Sequence, residues 1–155
     1  MDNWLQLDLF KSQHVDFIKA KKTRNDVRIG EAGEHLTLSK LQNWDINAFS
    51  VSAGDAYDIV ADINGRMIRI QVKSTKRISS TMCFSFTRGF HGSKKGVFNY
   101  SNSDYDIAAT ANLVDEKVLF SYGVKNNISW SRHQFLTDGN EFASWSAAIS
   151  FLSKH

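Results

Sequence analysis

Three residues near the middle of the chain, Asp58, Gln71 and Lys73, have the types and spacing to share one chemical task. In an extended strand residues i and i+2 point to the same side, so Gln71 and Lys73 share a face while Ile70 and Val72 point the other way. Between Asp58 and Gln71 lies Asn64-Gly65, the strongest short-range hairpin signal. A tight two-residue turn there pairs 63 with 66 and 58 with 71, which sets Asp58 opposite Gln71 with Cβ atoms roughly 5 Å apart. Asp58 is a hard oxygen ligand for Mg²⁺, and the side-chain oxygen of Gln71 is a second, neutral one. Mg²⁺ held there would polarise a phosphodiester and lower the pKa of a bound water. Lys73 would stabilise the developing negative charge or orient that water. The plainer alternative is a half-exposed sheet face whose Asp and Lys form an ion pair worth little. Spacing alone favours the plainer one.

The elements that must position these residues follow from the hydrophobic pattern. Residues 27–43, "VRIGEAGEHLTLSKLQN", read as an amphipathic helix carrying Val27, Leu38 and Leu41, with Glu31 and Glu34 one turn apart. Glu34 is free to pack beside the strand residues. "AFSVS" (48–52), "AYDIVADI" (56–63), "RMIRIQVKST" (66–75) and "MCFSFT" (82–87) read as strands. "RGFHGSKKGVFNYSNS" reads as a mobile loop. "YDIAATANLV" and "KVLFSYGV" flank Asp115-Glu116 as another strand pair, and "EFASWSAAISFLSKH" spaces Phe142, Trp145, Ile149 and Leu152 along one helical face. This order predicts an α/β chain with a central mixed sheet flanked by helices.

The stretch "GDAYDIVADINGRMIRIQVKST" resembles the core of the PD-(D/E)XK nuclease superfamily. It is most similar to the subgroup that includes group I intron homing endonucleases, and more distantly to archaeal-type Holliday junction resolvases. The resemblance spans roughly residues 27 to 122 and implies a restriction-endonuclease-like core with Mg²⁺-dependent DNA hydrolysis. Those families place a metal-binding aspartate on one strand and an acid or glutamine, any residue, then lysine on the next; the matching positions are Asp58, Gln71 and Lys73. "GEAGE" matches their helix glutamate pattern and points to Glu34 ahead of Glu31. The chain departs from the pattern at Tyr57, where proline is common, and at Gln71, where an acid is. The second departure removes a negative charge and leaves open whether one ion or two are used. The catalytic set implied is Glu34, Asp58, Gln71 and Lys73, with Asp58, Gln71 and Glu34 on Mg²⁺ and Mn²⁺ as a possible substitute.

Bulk properties agree with such a role. A chain of 155 residues fits one domain, and 42% hydrophobic with 23% charged residues is ordinary for a globular protein. No apolar run is long enough to cross a bilayer and no signal-peptide pattern opens the sequence, which predicts a cytoplasmic, nucleoid-associated protein without membrane contact. The single cysteine, Cys83, excludes an internal disulfide. Net charge is only +3, but the cations cluster: Lys19, Lys21, Lys22, Arg24 and Arg28 in one run, Lys73, Lys76, Arg77, Arg88, Lys94 and Lys95 in another group. Clusters of this kind suit a phosphate backbone, although solvated faces look the same on charge alone. Lys76, Arg77, Arg88, Lys94 and Lys95 are the expected phosphate contacts. No histidine stands with Cys83 at a zinc spacing. Asp55 reads as a turn residue, Asp106 as structural, and Tyr57 and Tyr105 as packing.

Ahead of this core, Gln6-Leu7-Asp8-Leu9-Phe10 resembles the bacterial sliding-clamp-binding motif at all five positions. Leu9 and Phe10 would fill an apolar pocket and Gln6 would hydrogen-bond at its rim. A short buried segment with Trp4, Leu7 and Phe10 at helical spacing is the alternative. The expected division is residues 1–12 as a clamp-binding peptide and 13–155 as the nuclease domain. The resulting expectation is a DNA endonuclease, a homodimer or higher homo-oligomer because cutting two strands uses two sites. A clamp-recruited, resolvase-like enzyme ranks ahead of a sequence-specific homing endonuclease. A non-catalytic DNA- or clamp-binding module is the rival from another class.

Overall fold

The computed structural model describes residues 25–52, 55–89 and 96–154. Its centre is a five-stranded sheet in the order β1-β2-β3-β7-β8. The strands are β1 (Asn47–Ser50), β2 (Ile59–Ile63), β3 (Arg66–Thr75), β7 (Ile107–Asn112) and β8 (Lys117–Tyr122). β3 and β7 run parallel and every other neighbouring pair in this sheet is antiparallel, so the sheet is mixed, as expected. Two smaller sheets accompany it, β4 (Thr81–Ser85) with β9 (Asn127–Ser131), and β5 (Thr87–Gly89) with β6 (Val97–Asn99). Helix α1 covers residues 25–43, α2 Arg132–Leu136 and α3 Asn140–Leu152.

The β2–β3 hairpin closes through the expected register, Ile63↔Arg66. Asn64 and Gly65 adopt φ 54° and 83°, the positive values that a tight turn of this kind requires, and the Gly65 N–H donates to Asp62 Oδ1 at 2.7 Å. Alternation then divides the sheet into two faces. Ile59, Ile70, Ile107 and Phe120 join Leu41 of α1 and Trp145 of α3 in one core. Ala108 and Leu119 point the other way, into a second core with Phe84 of β4, Ile128 of β9 and Phe135 of α2. Glu141 ties the helical layer together, accepting from Lys40 at 3.3 Å, Lys117 at 3.2 Å and the Val118 N–H at 2.9 Å.

Several expected elements differ in detail. The buried stripe of α1 runs through Gly33, Thr37 and Leu41, while Val27 is 55% exposed. Gly33 holds a place on that face because it lets the helix come close to Ser74 of β3. The strand read over 56–63 begins only at Ile59, and "MCFSFT" breaks at Phe86, whose buried ring turns into the second core as its N–H donates to the Asn126 carbonyl. The glycine-rich segment read as a loop contains part of the β5–β6 ladder. β9 and α2 carry no strong periodic signal; α2 is fixed locally by Ser131 and Gln134, which cap its first turn reciprocally. Among the described residues no helix is long and apolar enough to cross a membrane.

Candidate active site

β3 is ten residues long and β2 only five. Their ladder ends at Ile59↔Ile70, while β3 continues beside β7 from Gln71↔Ala108 to Thr75↔Asn112. Among the described residues, 71–75 of β3 therefore have no strand on their β2 side, and a strand edge must find other hydrogen-bond partners. Asp58 supplies one. It stands one residue outside the ladder, its N–H donating to the Ile70 carbonyl at 2.9 Å, and its carboxylate takes the strand's place. Asp58 Oδ2 accepts from the Val72 N–H at 2.7 Å and from Gln71 Nε2 at 2.6 Å. Asp58 and Gln71 do meet, through side chains rather than as a paired register.

A cleft of about 940 Å³ opens at this gap, lined by Glu34, Asp58, Gln71 and Lys73 together with Tyr100 and Arg88. Glu34 arrives from α1 because the helix sits unusually close to β3. A Cβ on Gly33 would lie 2.7 Å from Ser74 Oγ and nearer still to Ser74 Cβ. The Ser74 hydroxyl donates to the Ile29 carbonyl at 2.7 Å, and the Thr37 hydroxyl to the Gly33 carbonyl at 2.8 Å. A Cβ on Gly30, one turn earlier, would meet no atom outside its own helix within 4 Å.

Burial governs the electrostatics. It pushes the Asp58 carboxyl up, against the pull of the Val72 N–H and the Lys73 charge. Burial and then the Asp58 charge push Glu34 up as well. The Lys73 ammonium is pulled down by burial and supported by Asp58 and Glu34. Glu34, Asp58 and Lys73 by themselves carry one formal negative charge, while the cleft as a whole balances four acids (Asp26, Glu34, Asp55, Asp58) against four bases (Lys73, Lys76, Arg77, Arg88).

The donor types at the site are those of a hard divalent ion, with Gln71 turned for hydrogen bonding. Gln71 Nε2 lies between Asp58 Oδ2 and the Val72 carbonyl oxygen, at 2.6 and 3.1 Å. The amide thus presents nitrogen toward Asp58, where the sequence reading placed its oxygen. A half-turn of the amide exchanges the two atoms. An oxygen facing a carboxylate and a carbonyl at such distances is repulsive unless a cation lies among them, and two acidic oxygens, an amide and a main-chain carbonyl are Mg²⁺-type ligands. Among the described residues no group of three or more His, Cys, Asp or Glu side chains is placed to hold a metal ion.

Lys73 is held from a side that the sequence reading missed. Its Nζ donates to the Thr87 carbonyl at 3.3 Å and lies 5.8 Å from the centre of the Tyr100 ring. Arg88 covers the same ring at 5.2 Å and approaches Asp104 at 3.9 Å. Tyr100 packs edge-on against Tyr105, and burial, then Asp58, pushes its hydroxyl up to about 12. The aromatic residue in the glycine-rich stretch was the available signal.

Lys76, Arg77 and Arg88 line the cleft with the catalytic candidates, and Asp55 stands at the same cleft. Lys94, Lys95 and the clamp-motif residues Gln6, Leu7, Asp8, Leu9 and Phe10 lie outside the described residues. Asp106 is structural: it accepts two hydrogen bonds from the Arg69 guanidinium, at 3.0 and 2.9 Å, and one from the Arg69 N–H at 2.8 Å. Tyr105 is buried packing, and Tyr57 is half-buried against the same core.

No protein-family model and no curated protein matches the chain. Among solved structures the fold is similar to that of a bacterial homing endonuclease, I-Ssp6803I, at 15% sequence identity and a TM-score of 0.62, over 82% of this chain and 95% of that one.

Proposed function

We propose that this chain is a Mg²⁺-dependent DNA endonuclease of the PD-(D/E)XK kind, with Glu34, Asp58, Gln71 and Lys73 as its catalytic set. The observation that carries the reading is the Asp58 carboxylate braced on the free edge of β3, beside Gln71 and open to a cleft that also receives Lys73 and Glu34. The homing-endonuclease fold neighbour supports it. Asp58, Gln71 and Glu34 would hold Mg²⁺, or Mn²⁺ in its place, which supplies polarisation of the phosphodiester and a water of lowered pKa. Asp58 keeps one geometry because the Val72 N–H holds its Oδ2, a bond that remains when Gln71 turns its amide oxygen to the ion. Lys73, steadied by Thr87 and Tyr100, directs its ammonium toward the negative charge that develops on the phosphate. Lys76, Arg77 and Arg88 would neutralise flanking phosphates, with Lys94 and Lys95 extending that contact. Cleavage of both strands calls for two such sites, hence a dimer or higher oligomer.

The test is a cleavage panel of four-way junctions, flaps and long duplex with Mg²⁺ or Mn²⁺, run beside Asp58→Ala. One preferred site in long duplex identifies a homing-type enzyme, which the fold neighbour favours. Symmetric cuts at junctions identify a resolvase-like enzyme, which Gln6–Phe10 favours through recruitment by the bacterial sliding clamp. If wild type and Asp58→Ala behave alike on every substrate, the nuclease reading fails and a DNA- or clamp-binding module takes its place. Leu9→Ala with Phe10→Ala should abolish clamp binding and spare cleavage of naked DNA; unchanged clamp affinity removes that role.

A further inference from the structure

The β4–β9 ribbon turns one face inward and one outward. Met82, Phe84, Ile128 and Trp130 form the inner face and pack into the second core. The outer face carries Thr81, Cys83 and Ser85 on β4, and Asn127, Ser129 and Ser131 on β9, paired as Ser85↔Asn127, Cys83↔Ser129 and Thr81↔Ser131. All except the half-buried Ser131 are exposed, and none is charged or a large apolar residue. Exposed strands ordinarily carry lysine and other charges that keep them soluble and unpaired. Here the solvent face is a lawn of short hydrogen-bond donors and acceptors instead.

This face continues into the catalytic cleft. Cys83 and Ser85 line the cleft with Asp58 and Lys73, and the cations Lys76, Arg77 and Arg88 line it too. Positive charge therefore borders the ribbon without standing on it. That division matches the two jobs in DNA recognition: cations hold phosphates, and uncharged polar groups read base edges. Dimensions agree as well. Two strands about 4.8 Å apart form a ribbon that enters a major groove about 12 Å wide. Outward residues of one strand recur every ~6.8 Å, two base-pair steps of about 3.4 Å.

Resting on the nuclease reading above, we infer that the outward face of the β4–β9 ribbon reads base edges in the major groove of duplex DNA, with Thr81, Cys83, Ser85, Asn127 and Ser129 determining which sequence is bound. The face is continuous with the cleft that would hold the scissile phosphate, and this continuity selects DNA over a protein partner.

The experiment is selection of duplexes from a randomised library by binding to the full chain, which needs no cleavage. It compares wild type with Asn127→Ala, Ser129→Ala and Lys76→Ala, each checked for an unchanged melting profile. Wild type should enrich a defined sequence. Asn127→Ala and Ser129→Ala should each relax preference at one or two base positions by about 5- to 100-fold. Lys76→Ala should weaken all sequences alike and reduce the salt slope by about one. The inference is overturned if the two ribbon variants keep the wild-type preference, or if wild type enriches no sequence even while cutting DNA. Enrichment without any cleavage would instead end the nuclease reading and leave the ribbon assignment standing.

Discussion

Gly33→Ala tests the packing that delivers Glu34 to the cleft. The new methyl would stand 2.7 Å from Ser74 Oγ and closer to Ser74 Cβ. The hydroxyl can rotate; the Cβ cannot, because it is fixed to the β3 backbone. Ordinary carbon contacts of about 3.5–4.0 Å can return only if α1 retreats from the sheet by roughly 1 Å. Overpacking of this type costs about 1–3 kcal/mol, against a helix-propensity gain of up to about 1 kcal/mol for replacing glycine. The net expectation is a loss of about 1–2 kcal/mol, or ~2–8 °C in melting temperature for a chain of this size. Glu34 is the next residue, so a shift of roughly 1 Å should also lower cleavage by about 100-fold. Urea and thermal denaturation read the first effect and single-turnover cleavage the second. Two companions sharpen the test. Gly30→Ala, with open space around it, should gain up to ~1 kcal/mol in stability. Gly33→Ala with Ser74→Gly should recover stability relative to Gly33→Ala, short of the Ser74–Ile29 hydrogen bond worth about 1 kcal/mol. A Gly33→Ala protein as stable as wild type, or a double variant with no coupling, refutes the close-approach argument.

Other expectations follow from the site. Burial raises the Asp58 carboxyl on folding, so the folded chain binds that proton more tightly than the unfolded chain, and stability falls as pH climbs from below the ordinary carboxylate range through the raised one. An asparagine side chain in its place can accept both bonds now made to Oδ2 without a charge, so Asp58→Asn should melt higher than wild type at pH 7, converge with it in acid, and cut no DNA; equal melting at pH 7 contradicts this. Gln71→Glu sets a second carboxylate against Asp58, and should melt lower than wild type by an amount equivalent to about 1–3 kcal/mol, with Mg²⁺ restoring more stability than it gives wild type. Absence of that extra Mg²⁺ response would place the ion elsewhere. Tyr100→Phe keeps the ring beside Lys73 and Arg88 and should retain most single-turnover activity, whereas Tyr100→Leu should lose about tenfold or more in rate at saturating DNA, beyond any loss of affinity through Arg88. Equal rates for the two variants would remove the ring from the positioning of Lys73.

The sequence alone determined the β2–β3 hairpin and the face that Gln71 and Lys73 share. Both are local: Asn64-Gly65 accepts positive φ at two successive positions, and alternation assigns every side chain once the turn is placed. It also brought Asp58 to Gln71, although not the reason the contact is made. Asp58 leaves the ladder because β2 is shorter than β3, and strand ends are set by what packs around them. The inward stripe of α1 was read rightly at Leu38 and Leu41 and wrongly at Val27, for a related reason. Val27 looks apolar in sequence, but closeness to β3 is decided by the small surface of Gly33 meeting Ser74, two residues that only the fold makes neighbours. The hold of Thr87 and Tyr100 on Lys73 and the pairing of Cys83 with Ser129, 46 positions apart, belong to the same class. Such contacts depend on complementary shapes of distant segments, which neither spacing nor propensity records.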